Sequence, residues 1–113
     1  KNVDYNLDSF SINLEDLDVF LLKLMVVMIK DENIDILGEL LICYKLFNIN
    51  ITNVHQESII DEAWSLIDRF MRKDGSIYPH SKYKTGKTKY FFDFYYHTTC
   101  VIKGAADLWN QAN

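Results

Sequence analysis

The sequence has one proline and four glycines in 113 residues, so little in it forces a turn. It contains no glycine-rich phosphate loop, no Gly-x-Ser-x-Gly elbow and no paired-carboxylate motif, and thus lacks the common signatures of phosphate binding and acyl transfer. Cysteine is scarce too. Cys43 and Cys100 both fall inside apolar helical patterns, where a free thiol acts as a small hydrophobe. Two cysteines make no disulfide framework, so a reducing, cytoplasmic location is the expectation. The first ten residues are polar and acidic, with no signal-peptide core. The chain opens on Lys1 instead of Met, which suggests a fragment whose targeting segment lies upstream. Long hydrophobic runs are missing as well. Val19–Ile29 is interrupted by Lys23 and falls well short of the roughly 20 residues a bilayer requires. No membrane span is expected.

Charge is modest in total and uneven in place. The net value is −4, which is no polyanion-binding signature, and nucleic acid is not an expected ligand. Residues 1–72 carry 6 Lys or Arg against 13 Asp or Glu, whereas residues 73–113 carry 6 against 3. An acidic body therefore bears a basic appendage. Phe and Tyr number seven each, enough to furnish a real core.

The periodicity predicts an all-α domain across 1–113: two packed antiparallel helical hairpins, with a small β-hairpin or ordered loop between helices three and four. Residues 1–12 read as an extended lead-in. Asn13 is a natural N-cap, with Glu15 and Asp16 in the first turn, and a helix is predicted over Leu14–Lys30. Because Lys23 is the one polar residue between Val19 and Ile29, this helix is expected at the centre, covered on nearly all sides. Asp31-Glu32-Asn33 breaks the run, and a second helix over Ile34–Phe47 folds back on the first. Asn53 and Gln56 have capping-box spacing before a third helix over Val54–Arg72, with Asp68 and Arg72 placed to pair. A fourth helix is predicted from Asp93 to Gln111. The expected core comprises Phe20, Leu24, Val27, Leu37, Leu41, Ile60, Leu66, Ile67, Phe70, Val101 and Leu108.

The stretch Asp74–Cys100 breaks this rhythm, and chemistry is sought there first. Asp74-Gly75 is a turn signal. Thr85-Gly86 lies between Ile77-Tyr78 and Tyr90-Phe91, which predicts a basic hairpin or loop over 73–91 with its turn near Gly86. Lys82, Lys84, Lys87, Lys89, Tyr83, Tyr90 and His80 form its candidate binding set, either a solvated loop or a docking surface for an acidic protein partner or a second copy. His97 is the candidate acid–base group, with Asp93 one helical turn earlier and Tyr95 nearby. Pairing of Asp93 with His97 as a purely structural bond at the helix start is the weightier alternative. A metal is not expected. The one set with soft-ligand character, Cys43, His97 and Cys100, lacks any zinc-ligand spacing beyond the i, i+3 pair. No cofactor is expected either.

Lys73-Asp74-Gly75-Ser76 followed by Tyr95-Tyr96-His97-Thr98-Thr99 resembles the helical-hairpin units of α/α-toroid proteins, the terpenoid cyclase and protein prenyltransferase class. The resemblance covers residues 54–110. It implies stacked helical pairs, an Asp-Gly-Ser turn closing one helix and an aromatic-rich start to the next. The cyclases' Asp-rich acid motif is missing here, so the resemblance carries no catalytic residue across. Two functions are consistent with the whole: a helical interaction or accessory domain of a larger α/α-hairpin protein, or part of a toroid-like enzyme acting on a small molecule or peptide near His97.

Overall fold

Asn13, Asn33 and Asn53 each open a helix. The Asn13 side chain accepts from the Glu15 and Asp16 amides at 2.9 and 3.4 Å, Asn33 from Ile36 at 3.1 Å, and Asn53 from Gln56 at 2.9 Å. Each satisfies amides that the helix itself cannot. The computed structural model describes residues 13–83 and 91–111, with Tyr83 and residues 91–94 described by backbone alone. It contains α1 (Leu14–Asp31), α2 (Ile34–Leu46), α3 (Val54–Arg69) and α4 (Phe91–Trp109), with a short 3₁₀ turn at Ser81–Tyr83. The fold is all-α, as the periodicity predicts. The lead-in at 1–12 and the expected turn near Gly86 lie outside the described residues.

The helix that sits at the centre is α2, not α1. Ile34, Leu37, Gly38, Leu40, Leu41 and Tyr44 are all buried along it. Its largest interface is with α4, followed by α1, and α3 packs chiefly on α1. Close approach of α4 depends on Gly38. A Cβ there would stand 2.5 Å from Ile102 Cδ1 and 2.9 Å from Val101 Cγ1. Farther along, Trp109 donates its indole N–H to the Leu41 carbonyl at 2.9 Å and stacks on Tyr44, with ring centroids 6.2 Å apart. The edge of Trp64 meets the same indole, so α3 and α4 touch there as well.

On α1 only Leu21, Leu22 and Met25 are buried. Phe20 and Val27, expected in the core, are 58% and 53% exposed. Among the described residues α1 packs on α2 and α3, and neither covers the face that bears Phe20 and Val27. Residues seven apart on the opposite side are left facing out, however apolar they are. Leu24 and Leu108 are half-buried, as is Val101, while Leu37, Leu41, Ile60, Leu66, Ile67 and Phe70 are core as expected.

The third helix stops three residues earlier than its pattern suggests. Phe70 caps α3, and its carbonyl accepts from the Tyr78 amide at 3.1 Å. Met71 and Ile77 form an isolated bridge across the Asp74-Gly75 turn, in which Gly75 takes φ +89°. Here the long-range partner outcompetes one further turn of helix. Arg72 is thereby off the helix, and the expected Asp68–Arg72 pairing gives way to a guanidinium lying 5.0 and 5.6 Å from the ring centroids of Tyr95 and Tyr78. The following segment straps the start of α2. The buried Pro79 carbonyl accepts from Ile34 and Asp35 at 2.9 and 3.2 Å, and His80 bridges Asn33. Among the described residues no helix is long and apolar enough to cross a membrane.

Candidate functional site

Asp35 is held firmly before any ligand is considered. It lies in the first turn of α2, where the Asn33 cap and the Pro79 carbonyl fix the backbone. Its Oδ1 accepts from His97 Nδ1 at 2.8 Å and from Thr98 Oγ1 at 2.7 Å. Thr98 is 1% exposed, whereas the His97 side chain is 60% exposed. With Nδ1–H given to the carboxylate, neutral His97 presents Nε2 to solvent as a base. Glu39 stands one turn along α2, and ligand atoms of Asp35, Glu39 and His97 lie within 4.8 Å of one another. The trio can orient an imidazole for proton transfer, and its oxygen and nitrogen donors are of a type that suits a divalent ion.

This is not the constellation read from the sequence. The carboxylate that meets His97 comes from α2, 62 residues away; the side chain of Asp93 lies outside the described residues. Tyr95 is not brought to His97, since residues two apart on a helix diverge. It packs edge-on to Tyr78 at 5.3 Å under Arg72. Burial pushes its phenol above the usual range, Tyr78 adds to that, and Arg72 opposes it. The cysteines do not join either. Cys43 is half-buried, Cys100 is exposed, and neither belongs to the ligand-capable group found among the described residues.

Of the basic set, His80 serves as a tether. Its Nδ1 accepts from the Lys82 amide at 3.1 Å, and its Nε2 meets Asp31 Oδ2 at 3.1 Å. Lys82 is exposed. Tyr83 is described by backbone alone, and Lys84, Lys87, Lys89 and Tyr90 lie outside the described residues. A shallow cavity of about 210 Å³ lies near the Asp74 turn, lined by Arg72, Asp74, Ser76, Tyr95, Tyr96 and Thr99. The Ser76 hydroxyl and amide hold the Asp74 carboxyl below its usual range.

A larger feature lies where the sequence placed core. Between α1 and the start of α3 runs a groove of about 500 Å³, walled by Val19, Leu22, Val26, Val27 and Ile59. Asp18 and Gln56 also line it, and both bond to the buried Tyr44. The Tyr44 hydroxyl donates to Asp18 Oδ1 and accepts from Gln56 Nε2 at 2.7 Å, while Gln56 Nε2 also reaches Asp18 Oδ2 at 3.2 Å. Gln56 Oε1 accepts from the Thr52 and Asn53 amides at 2.7 and 3.2 Å, completing the capping box. Burial first, and then the bond to Asp18, push the Tyr44 phenol well above its ordinary range. Every buried side-chain polar atom among the described residues has a partner, so this network knits α1, α2 and α3 together. In the sequence Gln56 is legible only as a cap, and Tyr44 is not among the candidates. A polar pair on otherwise buried faces was the available signal.

No curated protein and no solved structure matches the chain. A family model does match, over residues 9–106, which is most of the sequence. Both sites described above and all but the end of α4 lie within that span, and the chain belongs to the family described as a domain of unknown function, DUF6895.

Proposed function

We propose that this is a helical interaction or accessory domain, a unit of a larger α/α-hairpin protein, acting in the cytoplasm. The observation that carries this reading is the outer side of α1. Val19, Phe20 and Val27 are each at least half exposed, and Val19 and Val27 border an apolar groove open toward α3. A free-standing domain gains nothing by leaving such a face wet, and contiguous apolar surface of this kind marks docking sites. In a stack of helical pairs, the class this sequence resembles, the next pair would cover that side. The test is photo-crosslinking from position 20 or 27 in the cell, with position 103 on α4 as control. Adducts from 20 and 27 but not 103 are expected. Equal or no adducts at all three positions would end this reading.

The second reading, part of a toroid-like enzyme acting on a small molecule or peptide at His97, draws on the Asp35–His97 hydrogen bond with Nε2 left open. It requires a turnover lost in His97→Gln, and reduced in Asp35→Asn, while the circular dichroism spectrum is unchanged.

A further inference from the structure

The outer side of α1 is a narrow stripe with an internal symmetry. At about 100° per residue, Asp16, Val19, Phe20, Lys23, Val27 and Lys30 fall within roughly 100° of arc. All of them are exposed. Lys23 is the midpoint. Val19 and Val27 stand four residues to either side of it, Phe20 and the partly buried Val26 three, and Asp16 and Lys30 seven. Apolar therefore mirrors apolar, and acid mirrors base. A two-fold axis through Lys23, perpendicular to the helix, would lay the stripe on its own copy with every outer pair complementary.

We propose that the stripe is covered by α1 of a second copy of this chain, packed antiparallel. This rests on the interaction-domain reading and names the occupant. Val19 and Phe20 meet Val26 and Val27 of the second copy, and Asp16 meets its Lys30, twice per dimer. Glu15 and Asp31, the other charges at the helix ends, sit on opposite flanks of the stripe and do not confront each other across it. Asp31 is in any case held by His80 at 3.1 Å. The one opposed element is Lys23 against its copy at the centre, where the ammonium groups must reach outward to solvent while their stems cover the valines. An 18-residue helix is about 27 Å long, and one face of it buries less than the ~800 Å² per partner of a standard interface. The dimer is accordingly weak, with Kd on the order of 10–1000 µM.

Sedimentation velocity on the 113-residue chain from 10 µM to 1 mM tests this, with the spectrum of each variant checked for an intact fold. The parent should show a concentration-dependent monomer–dimer exchange. Asp16→Lys should weaken it about tenfold, because it places like charge at both ends. Adding Lys30→Asp to that variant should restore the parent's Kd to within about threefold, a rescue peculiar to the antiparallel register. Lys23→Leu should tighten association about tenfold or more by removing the central repulsion. A parent and a Lys23→Leu variant both monomeric at 1 mM would overturn the proposal, as would a charge swap that fails to rescue. Crosslinks to a different protein from position 20, with a monomeric chain, would sink self-pairing while leaving the interaction-domain reading standing. Loss of both signals would remove both.

Discussion

Helices α1 and α2 are similarly apolar and are joined by two residues, yet one is buried and the other is not. Along α1 the apolar run is the longer of the two, but only Leu21, Leu22 and Met25 are covered. Along α2 six residues are buried, among them a glycine. The difference lies in what surrounds each helix. Gly38 lets α4 settle onto α2 from one side while α1 holds another, whereas no described element covers the outer face of α1. Hydrophobicity decides whether a helix can be buried. Neighbours decide whether it is.

The most disruptive way to exploit this contrast is to truncate in parallel. Leu41→Ala, at a fully buried position of α2, should cost about 2–5 kcal/mol, and Met25→Ala on the inner face of α1 a similar amount. Urea unfolding monitored by circular dichroism measures both. A cost below about 1 kcal/mol at Leu41 would mean that α2 is not the hub. Next in size is Gly38→Leu, which drives a side chain into Ile102 and Val101 and should destabilise by about 1–3 kcal/mol or more. Gly38→Ala should cost less, because gained helix propensity of up to about 1 kcal/mol offsets part of the overlap.

The third test concerns the link between the two helices. Tyr44→Phe removes the hydroxyl from Asp18 and Gln56 and should cost about 1–3 kcal/mol, since the buried Gln56 and the partly buried Asp18 are both left short. The sign of the pH dependence follows from the raised phenol. The unfolded chain releases this proton near its ordinary value of 10.0, while the folded chain retains it. Stability present below that pH is therefore lost as pH rises above it. Tyr44→Phe should flatten this alkaline decline. An unchanged slope would show that Tyr44 is not its source.

The smallest effects belong to the outer face of α1. Phe20→Ser and Val27→Ser should change monomer stability by no more than about 0.5 kcal/mol, in contrast to the inner-face changes. A loss as large as at Met25 would mean that the stripe is covered within the monomer itself.

Much of the local structure was legible in the residues. The three asparagine caps, the capping box at Asn53 and Gln56 and the positions of all four helices follow from short-range chemistry, in which partners lie within four residues of one another. The end of α3 was not, because Phe70 is claimed by Tyr78 across a turn. The candidate site was half legible. His97 was singled out, but its partner Asp35 sits 62 residues earlier on another helix, and Thr98, which also donates to Asp35, was not among the candidates.

By itself, then, the sequence determined what depends on neighbours along the chain: where helices start and which stripes are apolar. Only the tertiary structure decided which apolar stripe becomes core and which carboxylate reaches the histidine. Those outcomes depend on the order in which helices pack and on a single missing Cβ at Gly38. Periodicity along one helix carries no information about which faces its neighbours will choose.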